Sequence, residues 1–163
     1  MKSIEKIVLT SNSSWNLFNF RLGLIRELIK RGFIVVVLTP KDNYSIKLEE
    51  EGCIFEDIDI WNSSINPLND LRTLFSYFEK IKNIAPNLIL TYTAKTNIYC
   101  SIATRFLGIP TINNITGIGS GFLRGLCLRS FLTLLYKFAL RKSHLVFFLP
   151  SEMYIPQLYI KTL

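Results

Sequence analysis

The chain has 163 residues, 49% hydrophobic and 13% aromatic, which suits one ordinary domain with a full core and excludes two large ones or a disordered polypeptide. Three widely spaced cysteines (Cys53, Cys100 and Cys127), each in an apolar run, exclude a disulfide framework and zinc spacing; they read as buried, reduced thiols of a cytoplasmic protein. The net charge of +7 is uneven, with no acidic residue between Glu79 and Glu152 and nine Lys or Arg in that interval, so an anionic partner is expected for the second half.

The N-terminus, MKSIEKIVLTSNSS, holds a four-residue apolar run before turning polar, which is too short for a secretory signal. A first strand is expected over 6–11 (KIVLTS). The loop after it, SNSSWNLFNFR, lacks a G-x-G-x-x-G fingerprint and so argues against ordinary dinucleotide binding. It offers Asn12, Ser13 and Ser14 as caps or donors at a helix N-terminus, with Trp15 beside them. The helix expected over 18–31 carries apolar residues at 18, 22, 25 and 29 and stops at Gly32. Helical spacing sets Arg21 with Leu17, Leu24, Ile25 and Leu28 on the inward stripe. A cation there needs an anionic partner, a carbonyl or a route to water. A contact tying helix to sheet and a phosphate or substrate contact in a strand-end cleft are both open.

A second strand is expected over 33–40, a short helix over 44–51 closed by Gly52, and a third strand over 53–60. A helix over 68–84 begins after Pro67 and sets 71, 74, 75, 78 and 81 on one face. The fourth strand (87–93, NLILTYT) runs into the loop TYTAKTNIYCS, which supplies the hydroxyls of Thr91, Thr93 and Thr96, the charge of Lys95, and Asn97 as a candidate N-cap of a helix over 97–107. Lys95 at a helix mouth reads either as an anion contact or as a solvated loop lysine.

The fifth strand (110–116) leads into NNITGIGSGF, where Gly117, Gly119 and Gly121 permit positive φ and close approach of a ligand. Bare amides here would form an anion nest. The acid expected about twenty residues after a dinucleotide fingerprint is missing, so that reading fails and a plain glycine turn stays open. The last and longest helix is expected over 126–142. Arg129, Thr133, Lys137 and Arg141, four residues apart, form a narrow basic stripe on an otherwise apolar surface. With Arg124 just before it, such a helix fits either the interfacial zone of an anionic membrane or burial against another domain. A sixth strand (144–150) follows, and His144 at its entry reads as structural. No stretch of 18 uncharged apolar residues suggests a membrane span. No metal cluster, Ser-His-Asp set or paired carboxylate site emerges, and nucleic-acid binding lacks a motif.

Six strands alternating with helices predict an α/β Rossmann-like, doubly wound parallel sheet, with ligands at the carboxyl ends of the strands. Three stretches, NSSWNLFNFRLGLIRELIKRGFIVVVLTP, TYTAKTNIYCSIATRFLGIPTINNITGIGSGF and LLYKFALRKSHLVFF, resemble the N-terminal half of bacterial family-4 glycosyltransferases of GT-B fold. The subgroup is the one that extends lipid-linked oligosaccharides for capsules, O-antigens and glycoproteins. The resemblance spans residues 4 to about 148 and is carried by K-x-N-I-Y-x-S-x-A-x-R-x-L-G-I-P followed by N-x-x-T-G-x-G.

That resemblance implies transfer of a sugar from a nucleotide-sugar to a polyprenyl-diphosphate-linked acceptor, by a peripheral protein at the cytoplasmic face of the cell membrane. The donor is expected for the complete enzyme, with no metal or other cofactor. It carries Arg21, Lys95, Asn97, Asn114, Thr116, Gly117 and Gly119 onto recurrent motif positions lining the cleft, and Asn12, Trp15, Thr93 and Ser120 of the same loops are expected beside them on the acceptor side. In that family this domain faces the membrane, so the basic residues Arg124, Arg129, Lys137 and Arg141 read from the pattern are expected on the membrane side. Thr91 stands where the family commonly has a histidine, so no catalytic base is assigned. Residues 1–149 are read as the family-4-like N-terminal domain and 150–163 as an atypical tail, from a truncated or frameshifted product or from the acceptor-binding chain of a split enzyme. A non-catalytic Rossmann-like anion-binding module is the alternative.

Overall fold

The computed structural model describes residues 6–61, 66–115 and 126–148, with backbone only for 126–129. Runs such as IVVVLT and LILTY have no polar alternation, so their strands must be covered on both faces. They are β1 (Lys6–Thr10), β2 (Ile34–Thr39), β3 (Ile54–Asp57), β4 (Leu88–Tyr92), β5 (Thr111–Ile115) and β6 (Leu145–Phe148). All pair in parallel in the order β3-β2-β1-β4-β5-β6. This is the doubly wound Rossmann-like sheet expected from the alternation.

Between the strands run α1 (Ser14–Lys30), α2 (Ser45–Glu50), α3 (Pro67–Ile84), α4 (Ala94–Leu107) and α5 (Leu126–Leu140). The sheet order reverses at β1, and right-handed crossovers then put α1 and α2 on one face and α3, α4 and α5 on the other. The buried residues divide accordingly. Ile7, Leu9, Val35, Val37, Leu90 and Tyr92 pack under α1 and α2 with Leu17, Ile25 and Leu48. Val8, Val36, Leu38 and Ile89 pack under α3 and α4 with Tyr77, Ile81, Cys100 and Ala103. A third cluster joins Ile98 and Ile102 of α4 to Tyr136, Ala139 and Leu140 of α5 and to Ile115. Cys53 and Cys100 are buried free thiols, as expected, and burial chiefly pushes the Cys53 thiol up to about 11.

Several boundaries move. α1 begins at Ser14 rather than Phe18 because Ser13 caps it, accepting from the Asn16 amide at 3.2 Å. α4 begins at Ala94, so Asn97 lies inside its first turn and is not the N-cap. The buried side of α3 runs through Thr73, Tyr77, Ile81 and Ile84, while Leu71 and Phe75 are exposed. Leu74, Phe78 and Ile81 of the expected face still pack on the core, and the buried Thr10 and Tyr77 hydroxyls lie 2.8 Å apart. α4 ends at Gly108, whose φ of +69° suits a left-handed C-cap.

Candidate functional site

Parallel strands deliver their following loops to one edge of the sheet. Among the described residues, that edge is built by the segments after β1, β2 and β4 and by the end of β5. Ser14 opens α1 from a buried position, its hydroxyl 2.7 Å from Thr39 Oγ1 and 3.0 Å from Ser45 Oγ, so one serine ties α1 to β2 and α2. Asp42 accepts from the Trp15 amide at 3.0 Å and the Tyr44 amide at 2.8 Å. The N-terminus of α1 therefore already carries a carboxylate from its own chain. Asn12 stands half-buried beside it, and the Trp15 ring is exposed, edge-on to Phe20.

The turn from β4 into α4 is strained. Thr93 adopts φ 68° and ψ 154°, a region glycine ordinarily occupies, and Ala85 is the other described non-glycine residue at positive φ. The strained geometry lets α4 start directly after the strand. The Thr96 hydroxyl donates back to the Tyr92 carbonyl, and the fully buried Asn97 side chain turns inward. Asn97 Oδ1 accepts from Thr91 Oγ1 at 2.5 Å and from Asn113 Nδ2 at 3.1 Å, and Asn97 Nδ2 donates to the Asn114 carbonyl at 3.0 Å. Asn113 Nδ2 also reaches Thr91 Oγ1 at 2.6 Å and Ser101 Oγ at 2.7 Å. Four side chains thus clamp β4, α4 and β5 together under the strand ends.

Lys95 does not stand free in solvent. Its Nζ donates to Asp70 Oδ1 at 2.8 Å and to the Trp61 carbonyl at 2.6 Å, which fastens the start of α4 to α3. Burial first, then the Asp70 carboxylate, raises the Tyr99 hydroxyl well above its ordinary value. Arg21 lies on the inward stripe as the spacing required. Its guanidinium carbon is 4.6 Å from the centre of the Tyr92 ring, and Nη1 donates to the Phe20 carbonyl at 3.1 Å, while the buried Nε has no partner. Burial raises the Tyr92 hydroxyl to about 12, and the Arg21 charge opposes that rise.

The edge therefore brings Asn12, Trp15, Arg21, Thr93, Lys95, Asn97 and Asn114 onto three neighbouring strand ends. Asn97 and Lys95 are held by protein partners; Asn12, which accepts from the Ser11 hydroxyl at 3.4 Å, and Asn114 are half-buried, and Trp15 is exposed. Thr116, Gly117, Gly119, Ser120 and Arg124 lie outside the described residues, as does the Arg129 side chain. Sequence reading missed Asp70, Asn113 and Ser101 as partners of this edge. The Asn113-Asn114 pair carried a signal, since strand alternation sends one asparagine to each face of β5.

The basic stripe expected on α5 is corrected. Thr133 is buried with Tyr136, Ala139 and Leu140, while Lys137 and Arg141 are exposed among Phe131 (60% exposed), Leu134 (67%) and Phe138 (44%). The i±4 row slants across the helix, so its members differ in burial. Arg105 of α4 stacks on Phe138 at 4.5 Å, adding a third cation to this face. No helix among the described residues is long and apolar enough to cross a membrane. A hollow of about 390 Å³ between Lys6, Glu56, Glu79 and Lys80 lies at the opposite, amino edge of the sheet. Among the described residues no group of His, Cys, Asp or Glu could hold a metal ion.

A Rossmann-like sheet with its polar groups gathered at the carboxyl edge defines the class. Residues 6–149 match the glycosyl transferase 4-like family, and the chain belongs to it. It is 27% identical over 145 residues to the N,N'-diacetylbacillosaminyl-diphospho-undecaprenol alpha-1,3-N-acetylgalactosaminyltransferase of Campylobacter jejuni, covering 85% of this chain and 38% of that enzyme. The chain thus spans well under half of that relative. Among solved structures, Acinetobacter baumannii MurG superposes with a TM-score of 0.62 at 16% identity, over 91% of this chain and 42% of MurG. A UDP-N-acetylglucosamine 2-epimerase superposes with 0.63, also at 16% identity, over 89% and 42%. These last two likenesses establish the fold, shared by transferases and an epimerase, and so confirm the architecture expected for half of a GT-B enzyme.

Proposed function

We propose that this chain supplies the acceptor side of an enzyme that moves a sugar from a nucleotide-sugar to a polyprenyl-diphosphate-linked saccharide in glycan or surface polysaccharide assembly. The observation that carries the reading is the similarity, along 85% of the chain, to a transferase whose named acceptor is a saccharide on diphospho-undecaprenol. The acceptor diphosphate is assigned to the carboxyl edge, beside Asn12, Trp15, Thr93 and Asn114. Lys95 and Asn97 act there by holding the strand ends in place. The 163 residues taken alone, which span 38% of that relative, are assigned acceptor binding without sugar transfer.

The exposed face of α5 supports a seat on the inner face of the cell membrane. Phe131, Leu134 and Phe138 offer apolar area, and Lys137, Arg141 and Arg105 offer charge to acidic headgroups. The test is a thermal shift with a short-chain polyprenyl-diphosphate saccharide and, separately, with nucleotide-sugars. Acceptor at about 100 times its Kd stabilises by about 2.7 kcal/mol and raises the midpoint, with no turnover in the presence of donor. A shift with nucleotide-sugar alone, or sugar transfer by the isolated chain, refutes the assignment. Flotation with anionic vesicles, lost in a Phe131→Ser/Phe138→Ser variant, tests the membrane seat.

A further inference from the structure

Groups from the starts of two helices meet at the carboxyl edge. Lys95, in the first turn of α4, donates to Asp70 Oδ1 at 2.8 Å, and Asp70 stands in the first turn of α3. Tyr99 lies one helical turn after Lys95, and the Asp70 charge adds to burial in raising its hydroxyl. α4 thus brings an ammonium and a hydroxyl beside one carboxylate. A phosphoryl oxygen accepts from the same kinds of donor, and here Asp70 fills that place from within the chain.

Four ion pairs join the described residues. Arg26–Glu51, Arg31–Glu27 and Lys80–Glu56 each involve the last third of α1 or α3 or the end of α2, away from the strand-end loops. Lys95–Asp70 is the pair at the carboxyl edge, and it is placed to open. Its side chains are 22% and 23% exposed, so water reaches both and neither is stranded as a dry charge when they part. The α3 dipole favours a carboxylate in the first turn, so Asp70 keeps a favourable setting without Lys95. The Lys95 ammonium has three donors on a flexible stem, and its bond to the exposed Trp61 carbonyl can persist while another partner changes.

We propose that Asp70 gates this edge: it holds Lys95 while no ligand is bound, and the acceptor's diphosphate displaces it and takes the ammonium. The inference rests on the acceptor role proposed above and adds a residue that acts through Lys95. Asp70 is thereby a positioning residue. It keeps Lys95 ordered before binding and weakens the edge for anions that cannot outcompete a carboxylate. The exchange replaces one anion by another and breaks no covalent bond.

The experiment measures inorganic diphosphate binding to the full chain by isothermal titration calorimetry. The variants are Asp70→Asn, Asp70→Glu, Lys95→Met and Lys95→Met/Asp70→Asn. Asp70→Asn keeps the side-chain shape, removes its charge, and should bind about fivefold more tightly than wild type. Asp70→Glu keeps the charge and should bind like wild type. Lys95→Met should lose most of the binding, and Asp70→Asn should restore none of it in that background. A general loss of negative charge would instead tighten binding in both backgrounds, which overturns the proposal. So do unchanged or weaker binding by Asp70→Asn, wild-type binding by Lys95→Met, Asp70→Glu as tight as Asp70→Asn, and no diphosphate binding by any variant. Should Lys95→Met not fold, Lys95→Gln keeps a donor for the Trp61 carbonyl and serves the same arm.

A short-chain polyprenyl-diphosphate saccharide, titrated in parallel, should rank the variants in the same order. A nucleotide-sugar that follows this order while the lipid-linked saccharide does not assigns Lys95 to a donor and overturns the gate. Inorganic diphosphate carries neither sugar nor lipid, so the two failures are distinct. A wild type that binds the lipid-linked saccharide with no effect of Asp70→Asn refutes the gate alone, whereas a wild type that does not bind it refutes the acceptor role.

Discussion

Replacing Asn97 by alanine tests whether the strand-end clamp holds the edge together. Asn97 is fully buried, and its amide group joins three neighbours: the Thr91 hydroxyl, the Asn113 amide and the Asn114 carbonyl. Truncation leaves the Thr91 proton and the Asn114 carbonyl without their side-chain partner, each at about 1–2 kcal/mol, while Asn113 keeps Thr91 and Ser101. The small cavity left behind adds about 1 kcal/mol. The expected loss is thus about 3–5 kcal/mol, a large share of a domain's stability. Ser101→Ala removes one acceptor while Asn113 retains two, and should lose only about 1 kcal/mol. Urea unfolding of both variants, with m-values checked for constancy, measures the difference. Equal losses for the two, or a loss below about 1 kcal/mol for Asn97→Ala, would show that the network adds nothing beyond its separate bonds.

Thr93→Gly relieves a positive-φ strain of about 1–3 kcal/mol at the expense of about 0.5–1 kcal/mol of backbone entropy, so the melting temperature should hold or rise; a clear fall in calorimetry would contradict the strain assignment. Lys95→Met should lower stability by about 1 kcal/mol and Lys95→Met/Asp70→Asn by no more, because the pair is largely buried; additive losses in denaturant titrations would mean the ion pair contributes little. The Arg26 guanidinium binds Glu51 through two contacts of 2.6 Å, and this hydrogen bonding, with its charge, holds the Glu51 carboxyl below its ordinary value. A depressed carboxylate stabilises the fold above its unfolded pKa and loses that contribution as pH falls through its folded pKa. The stability gap between wild type and Glu51→Gln should therefore be present at neutral pH and close in acid; a gap that stays constant down the titration refutes the linkage.

The fold was legible because its strands carry uninterrupted apolar runs and its helices stop at glycines such as Gly32 and Gly108, features decided by local sequence. The inward position of Arg21 was legible too, since helical phase alone fixes it. The partners of Lys95 and Asn97 were not. Asp70 lies 25 residues before Lys95 and Asn113 lies 16 after Asn97, and only the packing of α3 and β5 against α4 brings them into reach. Thr133 was misplaced for a related reason: a four-residue repeat says which side chains line up, whereas the tilt of α5 on α4 decides which of them are covered.

The fate of Lys95 and Asn97 changes what the edge can do chemically. A transferring centre needs groups left available to a ligand, and here Lys95 is engaged by Asp70 and the Trp61 carbonyl and Asn97 by Thr91, Asn113 and Asn114. Such an edge is held in place by its own side chains before any ligand arrives. Arg21 is the exception, a half-buried cation resting on the Tyr92 ring with its Nε unpartnered.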